Sequence, residues 1–382
     1  MVTPALRAPP CPERAIPPES FLDRAMTAAR ACGVTRLADV TGLDRIGFPV
    51  WQAVRPASRA LSVHQGKGAT PLDAKIGALC EAIESQAAEE VEADGPFAAF
   101  EALPAGARAP DLTDYLRSRT LADRASGAVR WCRARDLATD AEHFLPHDLV
   151  SLDFTRPGAS PFDRSSNGLA VGTSAEEALR TALLEAIERD AVGEWERSAP
   201  LARMATTVAP GSIGLDWLGF WQERLAACGD LLTIHAPPSL AGVPVLICLV
   251  SGPAEFGGGW RTSMGSGAHP DPAMALFRAL AEAIQSRLTL IAGARDDILP
   301  RDYLPTAGGS PVPPLPAGFR RRAWDDITPG PQSLSGLVDA LAEQGYRQVV
   351  AKTLGAHLAG VAVAKVFVPG LAGSYRTRRV PS

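Results

Sequence analysis

Cysteine is scarce and scattered in this 382-residue chain: Cys11, Cys32, Cys80, Cys132, Cys228 and Cys248, with no Cys-x-x-Cys pair. That spacing argues against a zinc or disulfide framework and leaves reduced core thiols as the reading. Long hydrophobic runs are also missing. The longest, Val243 to Val250, is too short to span a bilayer and carries Pro244. Neither sign of charge dominates: 38 Lys and Arg against 42 Asp and Glu leave a net charge of −4. Electrostatics therefore give no reason to expect nucleic-acid or membrane binding. The opening Met-Val-Thr-Pro-Ala-Leu-Arg lacks a basic segment followed by an apolar one, so no signal peptide is expected. Hydrophobic residues at 46% and charged residues at 21% exclude a disordered or collagenous chain. The expectation is a cytoplasmic globular protein of mixed α/β class, built as one large domain with an internal duplication.

Along the chain, residues 1–33 read as a proline-containing arm and a helix over 20–32, with Ser20 as cap and Gly33 as stop. Strands are expected at 34–40, 49–55 and 361–368, and a helix at 333–345. The main domain runs over 34–371, interrupted by a Pro/Gly-rich surface excursion at 308–331, and 372–382 forms a tail.

An internal repeat is the most informative feature. Ala78-Leu-Cys-Glu-Ala-Ile-Glu84 returns as Ala182-Leu-Leu-Glu-Ala-Ile-Glu188 and again as Ala279-Leu-Ala-Glu-Ala-Ile-Gln285. Ala74, Ala178 and Ala275 each stand seven residues before the first Glu of their copy, a two-turn spacing that lets a helix pack closely. Each copy follows a glycine-containing segment, read as a loop: Gln65-Gly-Lys-Gly68, Asn167-Gly-Leu-Ala-Val-Gly172 and Gly265-Ser-Gly267. Helix starts follow at Thr70-Pro71, at the capping box Thr173-Ser-Ala-Glu176, and at Asp271-Pro272.

Glycine loops at helix starts offer backbone N–H groups to phosphate, and Lys67 adds a point charge, although the P-loop spacing is absent. Glu81/Glu84 and Glu185/Glu188 are i, i+3 pairs on one helix face, among apolar neighbours. Carboxylates grouped near a core need cations, and hard oxygen donors beside a phosphate-bearing ligand suit Mg²⁺. Arg189 follows the second pair, Arg278 lies one turn before Glu282, and Arg287 follows Gln285. Arginines so placed either bind phosphate or pair with local carboxylates. His64 and His269 flank two of the loops; both are read as structural, with His64 the stronger functional outsider. Arg295-Asp-Asp297 reads as a charge cluster at a helix end.

Taken in order, these motifs resemble the YcaO superfamily over about residues 34–371. The resemblance rests on Gln65-Gly-Lys-Gly68, Glu81-Ala-Ile-Glu84, Ser166-Asn-Gly-Leu-Ala-Val-Gly-Thr173, Glu185-Ala-Ile-Glu-Arg-Asp190, the segment Arg278 to Arg287, and Arg295-Asp-Asp297. It implies an ATP site unrelated to the P-loop. Lys67, Ser166, Asn167, Arg189, Gln285 and Arg287 would contact ATP, with Arg278 beside them. Glu81, Glu84, Glu185 and Glu188 would hold Mg²⁺, joined by Glu282, and Lys67, Glu188 and Arg189 would stand nearest the chemistry. The implied reaction adds a nucleophile to a peptide backbone amide, phosphorylates the amide oxygen and expels phosphate. A neighbouring Cys, Ser or Thr gives an azoline; an external sulfur donor gives a thioamide.

The chain ends Thr377-Arg-Arg-Val-Pro-Ser382, without the Pro-rich tail common in azoline-forming members, and only some thirty residues precede the core. Gly33-Val-Thr-Arg36, Thr41-Gly-Leu-Asp-Arg45 and Val368-Pro-Gly-Leu371 resemble stand-alone members that work with a TfuA-like partner in thioamidation. An azoline-forming enzyme with an E1-like partner and a precursor-peptide substrate is the alternative, and an ATP-binding scaffold the second. A homodimer fits the sequence, though no feature requires it. Ser85 departs from the repeat, since an Arg there would echo Arg189.

Overall fold

The computed structural model describes residues 15–107, 127–155, 162, 164–253, 260–303 and 319–371. In chain order the elements are α1 (Pro18–Ala31), β1 (Arg36–Asp39), β2 (Val50–Val54), β3 (Val63–Lys67), α2 (Pro71–Glu89), β4 (Phe97–Ala98), β5 (Val129–Asp136) and β6 (Glu142–Pro146). Then come α3 (His147–Val150), β7 (Leu169–Gly172), α4 (Ala175–Arg197), α5 (Pro200–Ala205), α6 (Asp216–Ala227) and β8 (Leu231–His235). The last are β9 (Val245–Pro253), β10 (Trp260–Ala268), α7 (Pro272–Ala292), α8 (Leu334–Glu343), β11 (Val350–Leu354) and β12 (Ala362–Phe367).

The strands form three antiparallel sheets: β1-β2-β3, β8-β9-β10, and β4-β5-β11-β12-β7 with β6 beside β5. In each sheet the strand preceding a repeat helix lies at an edge: β3 before α2, β7 before α4, β10 before α7. The repeat is therefore a strand followed by a helix, present three times. The glycine-containing segments lie largely within these strands rather than in loops, Asn167-Gly168 forming the turn before β7. Their glycines admit the helices at close range. A Cβ on Gly66 would fall 2.0 Å from the backbone nitrogen of Ala78, and one on Gly267 would fall 2.4 Å from the carbonyl of Ala275. The fully buried alanines Ala74, Ala78, Ala82, Ala178, Ala182, Ala275, Ala279 and Ala283 form the matching helix surfaces. Small residues on both sides let backbone meet backbone.

Caps decide where the repeat helices begin. Thr70 accepts from the Asp73 amide, and Asp271 from the Ala273 amide, as their sequences suggest. In α4 the cap is Ser174, accepting from Glu177, one residue later than the expected box. Helix α1 begins after Pro17 rather than at Ser20, because Pro18 with its fixed φ suits a first helical position. Helix α8 falls within the helix expected at 333–345, with Ser333 as its cap. The excursion at 308–331 is described only from residue 319, where Arg322 bridges to Val208.

Three apolar clusters hold the layers. One joins α1 and α2 to β5, β6, β11 and β12 through Ala25, Leu79, Ile83, Trp131, Phe144 and Phe367. A second packs α6 and α7 with the β8-β9-β10 sheet and the start of the β1–β3 region. A third joins α4 and α8 to β7 and β12. A buried ion pair ties the end of β2 to α2. Arg55 makes two bonds to Glu89, which also accepts from Ser58 and Ser85, so the residue that breaks the repeat anchors this pair. Such pairing is the condition for tolerating buried ions.

Candidate active site

Each repeat helix also touches the edge strand of the next unit: α2 touches β7, α4 touches β10, and α7 touches β3. The second polar residue of each copy makes these junctions. Glu84 accepts the Val171 amide of β7 at 2.8 Å. Glu188 accepts the Ala268 amide of β10 at 2.8 Å and the Ser266 hydroxyl at 2.6 Å. Gln285 closes the circuit by donating its side-chain amide to the Gln65 carbonyl of β3 at 2.9 Å. The first two junctions place a carboxylate on a free edge N–H, while the third places a donor on a free edge C=O. This explains why the third copy carries Gln: a carboxylate can only accept. Edge groups that would otherwise seek another strand are satisfied from within.

The first polar residues, Glu81, Glu185 and Glu282, line a cavity of about 1060 Å³ together with Glu84, Glu188 and Gln285. Lys67, Arg189, Arg278 and Ser166 share the wall. Glu81 accepts from the Gln65 amide at 3.0 Å. Lys67 Nζ lies 3.1 Å from Glu282, and Arg189 lies 3.6 Å from Glu185 and 3.8 Å from Glu282. Arg278 acts on the same group of acids.

Five glutamates and these three cations thus share a wall to which Arg164, Arg180 and Arg295 also contribute. Burial, then the neighbouring Glu185 and Glu81, hold the Glu84 carboxyl well above the ordinary range. Burial pushes Glu185 up to about 7, reinforced by Glu188 and Glu282 and opposed by Arg189. Glu81 is raised mainly by burial, against Lys67. Burial works on Glu282 in the same direction, but Lys67 and Arg189 outweigh it and hold its carboxyl below the usual value. Arg189 is kept charged by Glu188, Glu282 and Glu185 despite its burial. A cavity walled by hard carboxylate oxygens with a raised affinity for protons fits a hard divalent cation. Among the described residues no three acids form a ready-made cage. Mg²⁺ accordingly fits best when it divides its coordination between one or two of these carboxylates and phosphate oxygens, its usual habit.

Several residues sit elsewhere than the sequence suggests. Arg287 is buried away from the cavity wall, 3.1 Å from Asp44 and 3.4 Å from Asp230, where it ties α7 to the segment before β2 and to the start of β8. Two carboxylates claim its guanidinium, and it stands apart from the other residues expected to contact ATP. Asn167 is half-buried in the turn before β7, its amide bonded to Ser165, and does not line the cavity. The edge amides of Gln65, Val171 and Ala268 are occupied by Glu81, Glu84 and Glu188, which corrects the expectation of bare phosphate-binding N–H groups.

His269 accepts from the Asp271 amide and also lines the cavity. Asp296 receives both the amide and hydroxyl of Ser62, while Arg295 and Asp297 pair with each other and line the cavity. His64 lines it too, its Nε2 without a partner and its pKa lowered to about 4 by burial and then by Arg55. Sequence reasoning overlooked Gln65 as a junction residue, although it stands inside a quoted motif.

Comparison with known proteins bears on this site. The model of the YcaO cyclodehydratase family, described as ATP- and Mg²⁺-binding, matches residues 65–372. An uncharacterized protein in the tfuA 3′ region of Rhizobium leguminosarum bv. trifolii is 31% identical over 377 residues, covering 94% of this chain and 88% of its own length. An uncharacterized protein of Methanothermobacter thermautotrophicus is 32% identical over 359 residues, with 89% and 90% covered. The solved YcaO from Methanopyrus kandleri, bound with AMPPCP and Mg²⁺, superposes with a TM-score of 0.71 at 25% identity, covering 96% of each chain. With its three strand–helix units around an acidic cavity, this chain belongs to the YcaO family of ATP- and Mg²⁺-binding, peptide-modifying proteins.

Proposed function

We propose that this protein uses Mg-ATP to activate a peptide backbone amide by phosphorylating its oxygen, and that with a TfuA-like partner and a sulfur donor it forms a thioamide in a peptide or protein. The observation that carries the thioamide branch is the near-full-length similarity to a protein encoded in a tfuA 3′ region. The ring of acids and cations supports the ATP half.

In this reading Glu81, Glu84, Glu185, Glu188 and Glu282 are the residues that would hold Mg²⁺, and bound Mg-ATP supplies the phosphoryl group. Lys67 and Arg189 lie in ion pairs with Glu282 and Glu185. Both can turn from these carboxylates to phosphate oxygens, freeing the acids for the cation. Arg278 and Ser166 stand on the same wall to orient the phosphates. The chain's contribution is positioning and charge neutralisation, the two effects that dominate phosphoryl transfer.

The test is intact-mass analysis of a candidate peptide incubated with the protein, Mg-ATP, a sulfide source and a TfuA-like partner. Exchange of one oxygen for sulfur is the expected result. Loss of one water would instead support azoline formation, the second reading, which the cyclodehydratase description of the matched family favours. Binding of Mg-ATP with no change in peptide mass would leave the ATP-binding scaffold.

A further inference from the structure

Lys365 stands at the centre of β12, in the otherwise apolar run Val361 to Val368, and is 1% exposed. Its strand neighbours Val363 and Phe367 belong to the same apolar cluster as Leu149 and Val150. Its Nζ lies 3.0 Å from the Leu149 carbonyl, 3.2 Å from that of Val150 and 2.6 Å from that of Ser165. Three acceptors match the three donors of an ammonium; a neutral amine has only two. Burial pushes this group down to about 7, with Glu185 acting the other way, so the carbonyls offset a substantial desolvation cost. Two of them are the final carbonyls of α3, which lack helical partners.

The third carbonyl belongs to the turn that leads into β7. The same stretch of β12 holds the far end of that turn: the Val366 amide donates to the Gly168 carbonyl at 2.8 Å, and Lys365 pairs with Leu169 in the sheet. Gly168 has φ +70° and passes so near the Val366 carbonyl that a Cβ would fall 2.4 Å from it. Between these two fixed points lies Ser166, on the cavity wall.

We infer that Lys365 is a positioning residue that pins the Ser165–Gly168 turn to the end of α3, so that Ser166 meets the phosphates of a nucleotide in the cavity. The inference rests on the Mg-ATP reading above. Lys365 acts through Ser166 and touches no ligand itself. Lys365→Met keeps the side-chain length but leaves three carbonyls without their donor, so the weaker nucleotide site should come with a lower but still cooperative melting transition.

The test is a double-mutant cycle on Mg-AMPPCP affinity, by calorimetry, with Lys365→Met, Ser166→Ala and the two combined. Lys365→Met should melt cooperatively and bind roughly tenfold more weakly. The double variant should bind no more than about twofold more weakly than Lys365→Met, because both changes remove one coupled contact. Unchanged affinity in Lys365→Met, or losses that multiply in the double variant, would overturn the inference and leave the nucleotide reading standing. No binding by the unmodified protein would overturn both.

A second measurement needs no variant to fold. The chain has four lysines, Lys67, Lys75, Lys352 and Lys365. In ¹⁵N-lysine-labelled protein the buried Lys365 should give a slowly exchanging ammonium signal that shifts when Mg-AMPPCP is added. A signal indifferent to the nucleotide would count against the pin.

Discussion

Glu188 directs both carboxylate oxygens at β10, one to the Ser266 hydroxyl and one to the Ala268 amide. Gln can keep the bond to the amide and turn its NH₂ toward Ser266, whose oxygen also accepts. Glu188→Gln should therefore stay folded, within about 1–2 kcal/mol of the parent in urea unfolding, while losing Mg-ATP-dependent activity. A fully active variant would remove Glu188 from the metal-holding set. Gln285 poses the converse case, because its amide must donate. Gln285→Glu would set a carboxylate against the Gln65 carbonyl and lower stability by about 2–3 kcal/mol at neutral pH. That deficit should shrink as pH falls toward about 4.5, where a protonated carboxyl can donate again. A melting temperature equal to the parent at about pH 7.5 would contradict the role given to Gln285.

At the scale of elements, close backbone approach is what joins each strand to its helix. Gly66→Ala places a Cβ 2.0 Å from the Ala78 nitrogen, and neither β3 nor α2 can yield without disturbing a junction. The expected loss is about 3 kcal/mol or more, read as a large fall in the urea midpoint. An unperturbed midpoint would mean that the two elements are more loosely apposed than described. The same feature explains what was legible in the sequence. Thr70 and Asp271 announced their helices because capping is a local hydrogen bond. The i, i+3 glutamates were visible because helical periodicity alone puts them on one face. The glycine segments were misread because glycine usually weakens a strand, and only the helix packed behind reveals why it is needed here. The ion pairs of Arg287 were hidden for a similar reason: its partners Asp44 and Asp230 lie far off in sequence.

For the whole molecule, the titration of His64 and His235 sets a limit on acid tolerance. Burial lowers both to about 4, aided by Arg55 for His64 and working against a hydrogen bond to the Arg203 backbone for His235. The denatured chain therefore takes up protons below about pH 6.5 that the folded chain refuses. Their contribution to stability is complete above that value and is lost on acidification toward about 4. His235→Asn, which cannot titrate, should lose about 2 kcal/mol less than the parent between about pH 7 and 4.5 in urea unfolding. Matching acid profiles would refute this account of His235.

The circular arrangement of junctions has a consequence in time as well as in space. Gln65 leaves the ribosome 220 residues before Gln285, the residue that covers its carbonyl. At about 5–20 residues per second, the β3 edge stays open for roughly 10–45 s in every round of synthesis. The β7 and β10 edges meet helices already made, and Glu81 of its own unit takes the Gln65 amide, but the Gln65 carbonyl must wait for α7. The nascent chain thus presents an unsatisfied strand edge for most of its translation, and a ribosome-bound holdase that shields extended segments should raise the yield of native protein.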